Sequence, residues 1–213
     1  MQPATAMRHL LADTAARLGP DAPTLCTPWT VRDLLAHEVL RERRPDAAAG
    51  IALPGPFRRR TEAAQARIAQ EGFEALVTRL RQGPPRWSPA RVPLVDANVN
   101  LAEFAVHLED LVRAQPGWSA TAHDRRTLAA LWGAYRRAAP VAYRSAPVGV
   151  VAVAPGFGRS AVRRPPGDSG TVVLTGTPLE LLLHAFGRTG VALVEVEGTD
   201  DDVAALAGHT RAF

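Results

Sequence analysis

The stretch NVNLAEFAVHLEDLVRA, residues 98–114, decides how this chain is read. It reads as a helix from about Val95 to Ala114, closed by the Pro116-Gly117-Trp118 turn. Glu103 and His107 stand four residues apart in it, so both side chains leave one face, a turn apart. A carboxylate and an imidazole so placed can grip one divalent cation. A third ligand from another helix would complete a two-histidine, one-carboxylate site with room for water or substrate. Alone, a Glu-x-x-x-His pair is more often surface decoration. Here Glu103 lies toward the apolar side of its helix, and a buried carboxylate needs a partner.

The best-placed third ligand is His37, in TPWTVRDLLAHEVLRERR, residues 27–44. Thr30 reads as an N-cap with Asp33 three residues on, a capping-box variant. The helix from Val31 to about Arg43 carries Val31, Leu34, Leu35 and Val39 inward, and His37 borders that stripe. Helix bundles build metal sites from inward side chains on facing helices. The alternative for His37 is a core histidine held by a backbone or carboxylate partner. Asp110 lies near the face of the pair, either as a further ligand, as an orienting partner of a ligand histidine, or as half of a salt bridge with Arg113.

Outward from these two helices the pattern stays helical to about residue 143. Met7, Leu10, Leu11, Ala15 and Leu18 give an amphipathic first helix stopped by Gly19-Pro20. Residues 47–57 read as a loop. A helical stretch follows from about Arg59 to Arg81, with a break at Gly72 and Phe73, Leu76, Val77 and Leu80 as its apolar positions. GPPRWSPARVP cannot be helix. A further helix over about 124–143 buries Leu128, Leu131, Trp132 and Tyr135, and Pro140 kinks or ends it.

After Ser145 the character changes. VGVVAVAP, TVVLTG and VALVEVEG read as strands. PLELLLHAFGR is a short helix with Pro178 early and Gly187 near its end, and DDVAALAGH is a last helix. The expectation is an α+β chain: a helical bundle over 1–143, then a small α/β domain over 144–213.

Composition bounds the function. The chain has 213 residues, 46% of them hydrophobic, enough for a real core. No apolar run approaches the roughly 20 residues of a membrane helix, and the N-terminus lacks the apolar centre of a secretion signal. A cytoplasmic protein without membrane attachment is expected. All 25 basic residues are arginine, and the sequence pI near 10.4 reflects that rather than a large charge, the formal net charge being +4. Acidic residues interleave with the arginines and the longest basic run is Arg58-Arg59-Arg60, so no nucleic-acid partner is expected. Cys26 is the single cysteine, which excludes an internal disulfide. It reads as a small buried residue, and as a nucleophile only if its thiol were activated. His9, His123, His184 and His209 are weaker site candidates. There is no Gly-rich phosphate loop, GxSxG elbow or CxxC pair.

Three stretches together carry a resemblance. LCTPWTVRDLLAHEVLRERRPDAAAGI (25–51), VNLAEFAVHLEDLVRAQPGW (99–118) and PLELLLHAFGR (178–188) resemble the metal-binding family within the DinB-like, mycothiol-dependent maleylpyruvate isomerase superfamily of actinobacteria. That family's pattern falls on Trp29-Thr30, His37, Glu103 and His107. One departure is Thr27-Pro28, where related sequences often carry Gly. The resemblance implies a DinB-like four-helix bundle holding a divalent metal, usually zinc, followed by a small α/β domain. It further implies a thiol cosubstrate, mycothiol, whose metal-stabilised thiolate adds to a small electrophile in a transferase or isomerase reaction. Arg188 matches the family's Gly-Arg position and is the candidate for pairing with a substrate carboxylate. The alternative for Arg188 is a helix-end arginine complementing the dipole. Iron and nickel remain alternatives to zinc, and a non-catalytic metal-binding stress module of the same fold is the alternative function. Bundles of this kind often pair, so a homodimer is carried as an expectation.

Overall fold

The computed structural model describes residues 2–47, 56–92 and 99–209. Its contacts divide the chain into two compact units, Met1–Ala122 and His123–Phe213.

The first unit is built from α1 (Pro3–Leu18), α2 (Val31–Arg43), α3 (Pro56–Ala69), α4 (Phe73–Gln82) and α5 (Leu101–Val112), with a 3-10 turn at Pro89–Arg91. Pro3 opens α1, where its missing N–H costs nothing, and Gly19, at φ 85°, ends it. Asp33 accepts from both the amide and the hydroxyl of Thr30, 3.0 Å each, and so fixes the start of α2. The break expected at Gly72 is real: the chain turns there with ψ 133°, and α3 and α4 are separate helices. α3 begins at Pro56, three residues before the expected Arg59. The expected start of α5 at Val95 and most of the expected 47–57 loop lie outside the described residues. α1 packs on α4 and α5, and α2 packs on α3 and α4. Met7, Leu11, Leu34, Leu35, Leu76, Leu80, Phe104 and Leu108 fill the space between them. Leu10, expected inside, is 38% exposed, because the α1 stripe is narrower than its spacing suggests.

α2 is buried on nearly every side from Leu34 to Leu40. Two of its carboxylates, Glu38 and Glu42, are therefore inside with the leucines. Buried charge demands a partner, and Arg8 of α1 meets Glu42 at 2.6 and 3.2 Å.

The second unit opens with α6 (Arg125–Ala142), capped by Asp124, whose carboxylate accepts from Thr127 N at 2.7 Å. This helix packs on the helix Pro178–Ala185 and on the strand Gly158–Arg163. The expected boundary at 143 assigns it to the first domain; by its contacts it lies with the second, and the division falls at 122. Pro140 neither ends nor truncates it, since α6 runs on to Ala142. Leu131, Trp132 and Tyr135 are buried as expected, whereas Leu128 is half-exposed.

Four strands follow in the order β2-β1-β3-β4: β1 (Gly149–Ala154), β2 (Gly158–Arg163), β3 (Thr171–Thr175) and β4 (Glu195–Glu197). β1 pairs antiparallel with β2 and parallel with β3, and β4 is antiparallel to β3. β2, sequence GRSAVR, escapes the sequence reading because as an edge strand it shows only Val162 to the core. A side chain at Gly149 would meet Thr171 Oγ1 at 2.4 Å, so the parallel β1/β3 pairing starts on a residue without one.

The expected strand over VALVEVEG shrinks to three residues. The amides of Val191 and Ala192 turn back to the Arg188 carbonyl, and Glu180 Oε2 takes the Leu193 amide at 2.8 Å. Their ladder bonds are thus spent elsewhere. Glu180 lies on α7 (Pro178–Ala185), capped by Thr177, and α8 (Asp200–Ala207), capped by Thr199, closes the unit.

Candidate metal centre

His37 comes from the middle of α2, and Glu103 and His107 come from adjacent turns of α5. The chain separates them by more than 60 positions, yet each offers one ligand atom and these all lie within 4.8 Å of one another. Both histidines are 7% exposed. Their rings meet edge to face, centroids 5.4 Å apart, and the tilted Trp29 ring lies 5.1 Å from His37.

His107 Nε2 faces Glu103 Oε2 at 3.4 Å and Glu38 Oε1 at 3.7 Å. Its other nitrogen, Nδ1, lies 2.9 Å from Asp110 Oδ2. A carboxylate on one imidazole nitrogen fixes the ring and directs the other toward a cation. Of the three roles open to Asp110, this geometry fits the orienting one. Arg113 donates to Glu109 one turn before it and stacks over Trp118 at 4.7 Å.

Three neighbours of this cluster were not predicted. Glu38 is fully buried; its Oε2 accepts from Arg41 at 2.9 Å while Oε1 has no hydrogen-bond partner. Arg41 also approaches Glu103 at 3.9 Å. Spacing argues against Glu38, since one residue beyond His37 points about 100° away on a helix; only the burial of α2 on every side brings both in. Cys26 is half-buried and donates to Asp110 Oδ2 at 3.1 Å, with its sulfur 3.9 Å from His107 Nδ1. The fold supplies the histidine that the nearby sequence lacks.

The electrostatics follow from burial. Removal from water, reinforced by the neighbouring His107, lowers the His37 pKa to about 3, so the His37 ring is neutral. Burial also disfavours charge on His107, but hydrogen bonds with Asp110, Cys26 and Glu103 and the nearby Glu38 outweigh it and raise that pKa well above its ordinary value. Burial works against an ionised Glu103, yet Arg41 and the two histidines hold its pKa below the usual carboxylate range. Three carboxylates, Glu38, Glu103 and Asp110, surround His107, and Arg41 pairs with the first two. Neutral and carboxylate donors in a pocket short of positive charge fit a divalent cation.

Arg188 and His184 belong to the second unit. Arg188 follows α7 and donates to the Phe186 carbonyl at 2.6 Å, as a helix-end arginine does. His184 is buried, its Nδ1 2.6 Å from the Tyr143 hydroxyl.

No protein-family model matches the chain, and no curated protein does. Among solved structures it is similar to the crystal structure of a mycothiol-dependent maleylpyruvate isomerase, with a TM-score of 0.55 and 21% identity over 91% of this chain and 88% of that one. It is also similar to a histidine-to-alanine mutant of such an isomerase, with a TM-score of 0.53 and 17% identity over 91% of each chain. At these identities the likeness is one of fold, and it is the mixed helix-and-sheet fold that the sequence resemblance implies.

Proposed function

We propose that the chain is a divalent-metal-binding, mycothiol-dependent enzyme of the transferase or isomerase type. Its ligands are His37, Glu103 and His107, in a DinB-like four-helix bundle. The observation that carries this reading is the convergence of those three side chains, with Asp110 directing His107 from its far nitrogen. The fold shared with proteins named for their mycothiol dependence supports the thiol half. Zinc is the proposed cation, since two imidazoles and a carboxylate suit it.

A divalent cation held there supplies the charge that favours a thiolate over a thiol. The remaining work falls to the chain. His37 is neutral through burial and offers its lone pair without first losing a proton. Asp110 holds the His107 ring so that Nε2 faces the cluster. Arg41 bridges Glu38 and Glu103, keeping Glu103 ionised and the two carboxylates from repelling each other. Three protein donors leave a position for a small thiol, and a small electrophile is the second substrate. Arg188 is retained as the partner of a substrate carboxylate on the strength of its Gly-Arg match, and a cytoplasmic homodimer is the setting carried with this reading.

Elemental analysis of the purified protein tests it, alongside His37→Ala, His107→Ala and Asp110→Asn. The expected result is about one cation per chain, absent in both alanine variants, with affinity down about 10–100-fold in Asp110→Asn. Calorimetry of the loaded protein then detects thiol binding. Metal-free wild-type protein that takes up zinc no better than the alanine variants overturns the reading.

A further inference from the structure

His107 presents its two nitrogens to two different sets of donors. Nε2 faces Glu103 Oε2 at 3.4 Å. Nδ1 faces Asp110 Oδ2 at 2.9 Å and Cys26 Sγ at 3.9 Å, and Cys26 Sγ lies 3.1 Å from Asp110 Oδ2. These three atoms, one nitrogen, one oxygen and one sulfur, all lie within 4.8 Å of one another. Donors about 2.0–2.3 Å from a tetrahedral cation stand roughly 3.3–3.6 Å apart. Each of the three observed separations is within about half an ångström of that span, so small side-chain movements complete the geometry.

We propose that Cys26, Asp110 and Nδ1 of His107 form a second cation site, on the opposite edge of the His107 ring, for a soft, thiophilic divalent cation. The donor set selects the ligand class. A thiolate favours soft cations, whereas the His37–Glu103–His107 set holds no sulfur and favours borderline ones. Asp110 is fully buried and His107 nearly so, while Cys26 is half-buried and gives the cation its way in. Loading releases the thiol proton of Cys26 and any proton on Nδ1 to solvent, leaving a thiolate, a neutral or bridging imidazole and a carboxylate around the cation. His37 and Glu103 take no part, so this site stands whether or not the zinc reading holds. Because His107 serves both sets, filling one weakens the other.

Cobalt(II) and cadmium(II) titrations of the metal-free protein test this, followed through the thiolate-to-metal charge-transfer absorption that appears only when sulfur is a ligand. The expected result is that the band develops in the wild type, persists in His37→Ala, and vanishes in Cys26→Ser and Cys26→Ala. Both cysteine variants should still bind zinc through the other set. No charge-transfer band in the wild type overturns the proposal without reference to any variant's folding. A band lost equally in His37→Ala overturns it too, because Cys26 would then be a further ligand of one site. Loss of zinc binding in His37→Ala with no change in the cobalt band separates the two sites directly.

Discussion

The two units of this chain differ in the kind of polar group they bury. In the second, such groups close structural joints. Glu180 takes the Leu193 amide, and His184 meets the Tyr143 hydroxyl. The Tyr135 hydroxyl and Arg163 Nε are exceptions, buried with no hydrogen-bond partner. In the first unit, titratable groups gather instead: Arg8, His37, Glu38, Glu42, His107, Glu109, Asp110 and Arg113 are all buried. One oxygen on each of Glu38, Glu42 and Glu109 has no hydrogen-bond partner. A network left incomplete is costly, and a chain that keeps one has a use for it. The difference teaches where to look for chemistry: the joints of the second unit hold its shape, and the first unit gathers the cluster around His107 that is proposed to hold a cation.

Three substitutions bear on that contrast. The largest effect is expected at Arg8, which pairs with Glu42 and lies 4.8 Å over the Phe104 ring. Arg8→Met should cost about 3 kcal/mol in denaturant unfolding, the lower end for breaking a buried pair because the abandoned carboxyl can take up a proton. A cost under about 0.5 kcal/mol, the scale of an exposed change, would mean that the first unit's charges are not truly buried.

Next is pH. Burial, only partly offset by Arg8, raises the Glu42 pKa from 4.5 to about 7. Between those values the folded state holds more protons than the unfolded one, so this group's contribution is present below pH 4.5 and is lost as pH rises through about 7. The loss is about 3 kcal/mol at most. Stability measured across that window should fall more steeply in the wild type than in Glu42→Gln; parallel profiles would remove Glu42 from the account.

The smallest effect belongs to the second unit. Glu180→Ala removes the acceptor of the Leu193 amide, on an exposed residue, and should cost about 0.5–1.5 kcal/mol. Zinc affinity should be unaltered. A variant that lost metal as well as stability would erase the distinction between the units.

Much of this was legible in the sequence, and what was not has physical causes. α1, α2, α4, α6 and α7 announce themselves through periodicity, caps and Gly or Pro stops. His37, Glu103 and His107 were readable because two share a helix face and the third borders an apolar stripe. β2 was hidden because an edge strand of GRSAVR has little apolar alternation to offer. The upper half of VALVEVEG looked like strand because propensity cannot foresee that Glu180 captures one amide and Arg188 two others. Glu38 and Cys26 were missed for a shared reason: neither sits at a helix spacing that points toward His107. Only the packing around α2, and the path of the chain from residue 20 to 30, brings them to its ring.

The four-stranded sheet ends in β2 on one side and β4 on the other. β4 offers Glu195 and Glu197 at its rim, and β2 offers Arg159 and Arg163. Two copies meeting β4 to β4, or β2 to β2, bring like charges together. Opposite rims attract, yet β4 is three residues long and gives a growing ladder almost nothing to hold. The sheet therefore discourages its own polymerisation by charge on one pairing and by brevity on the other.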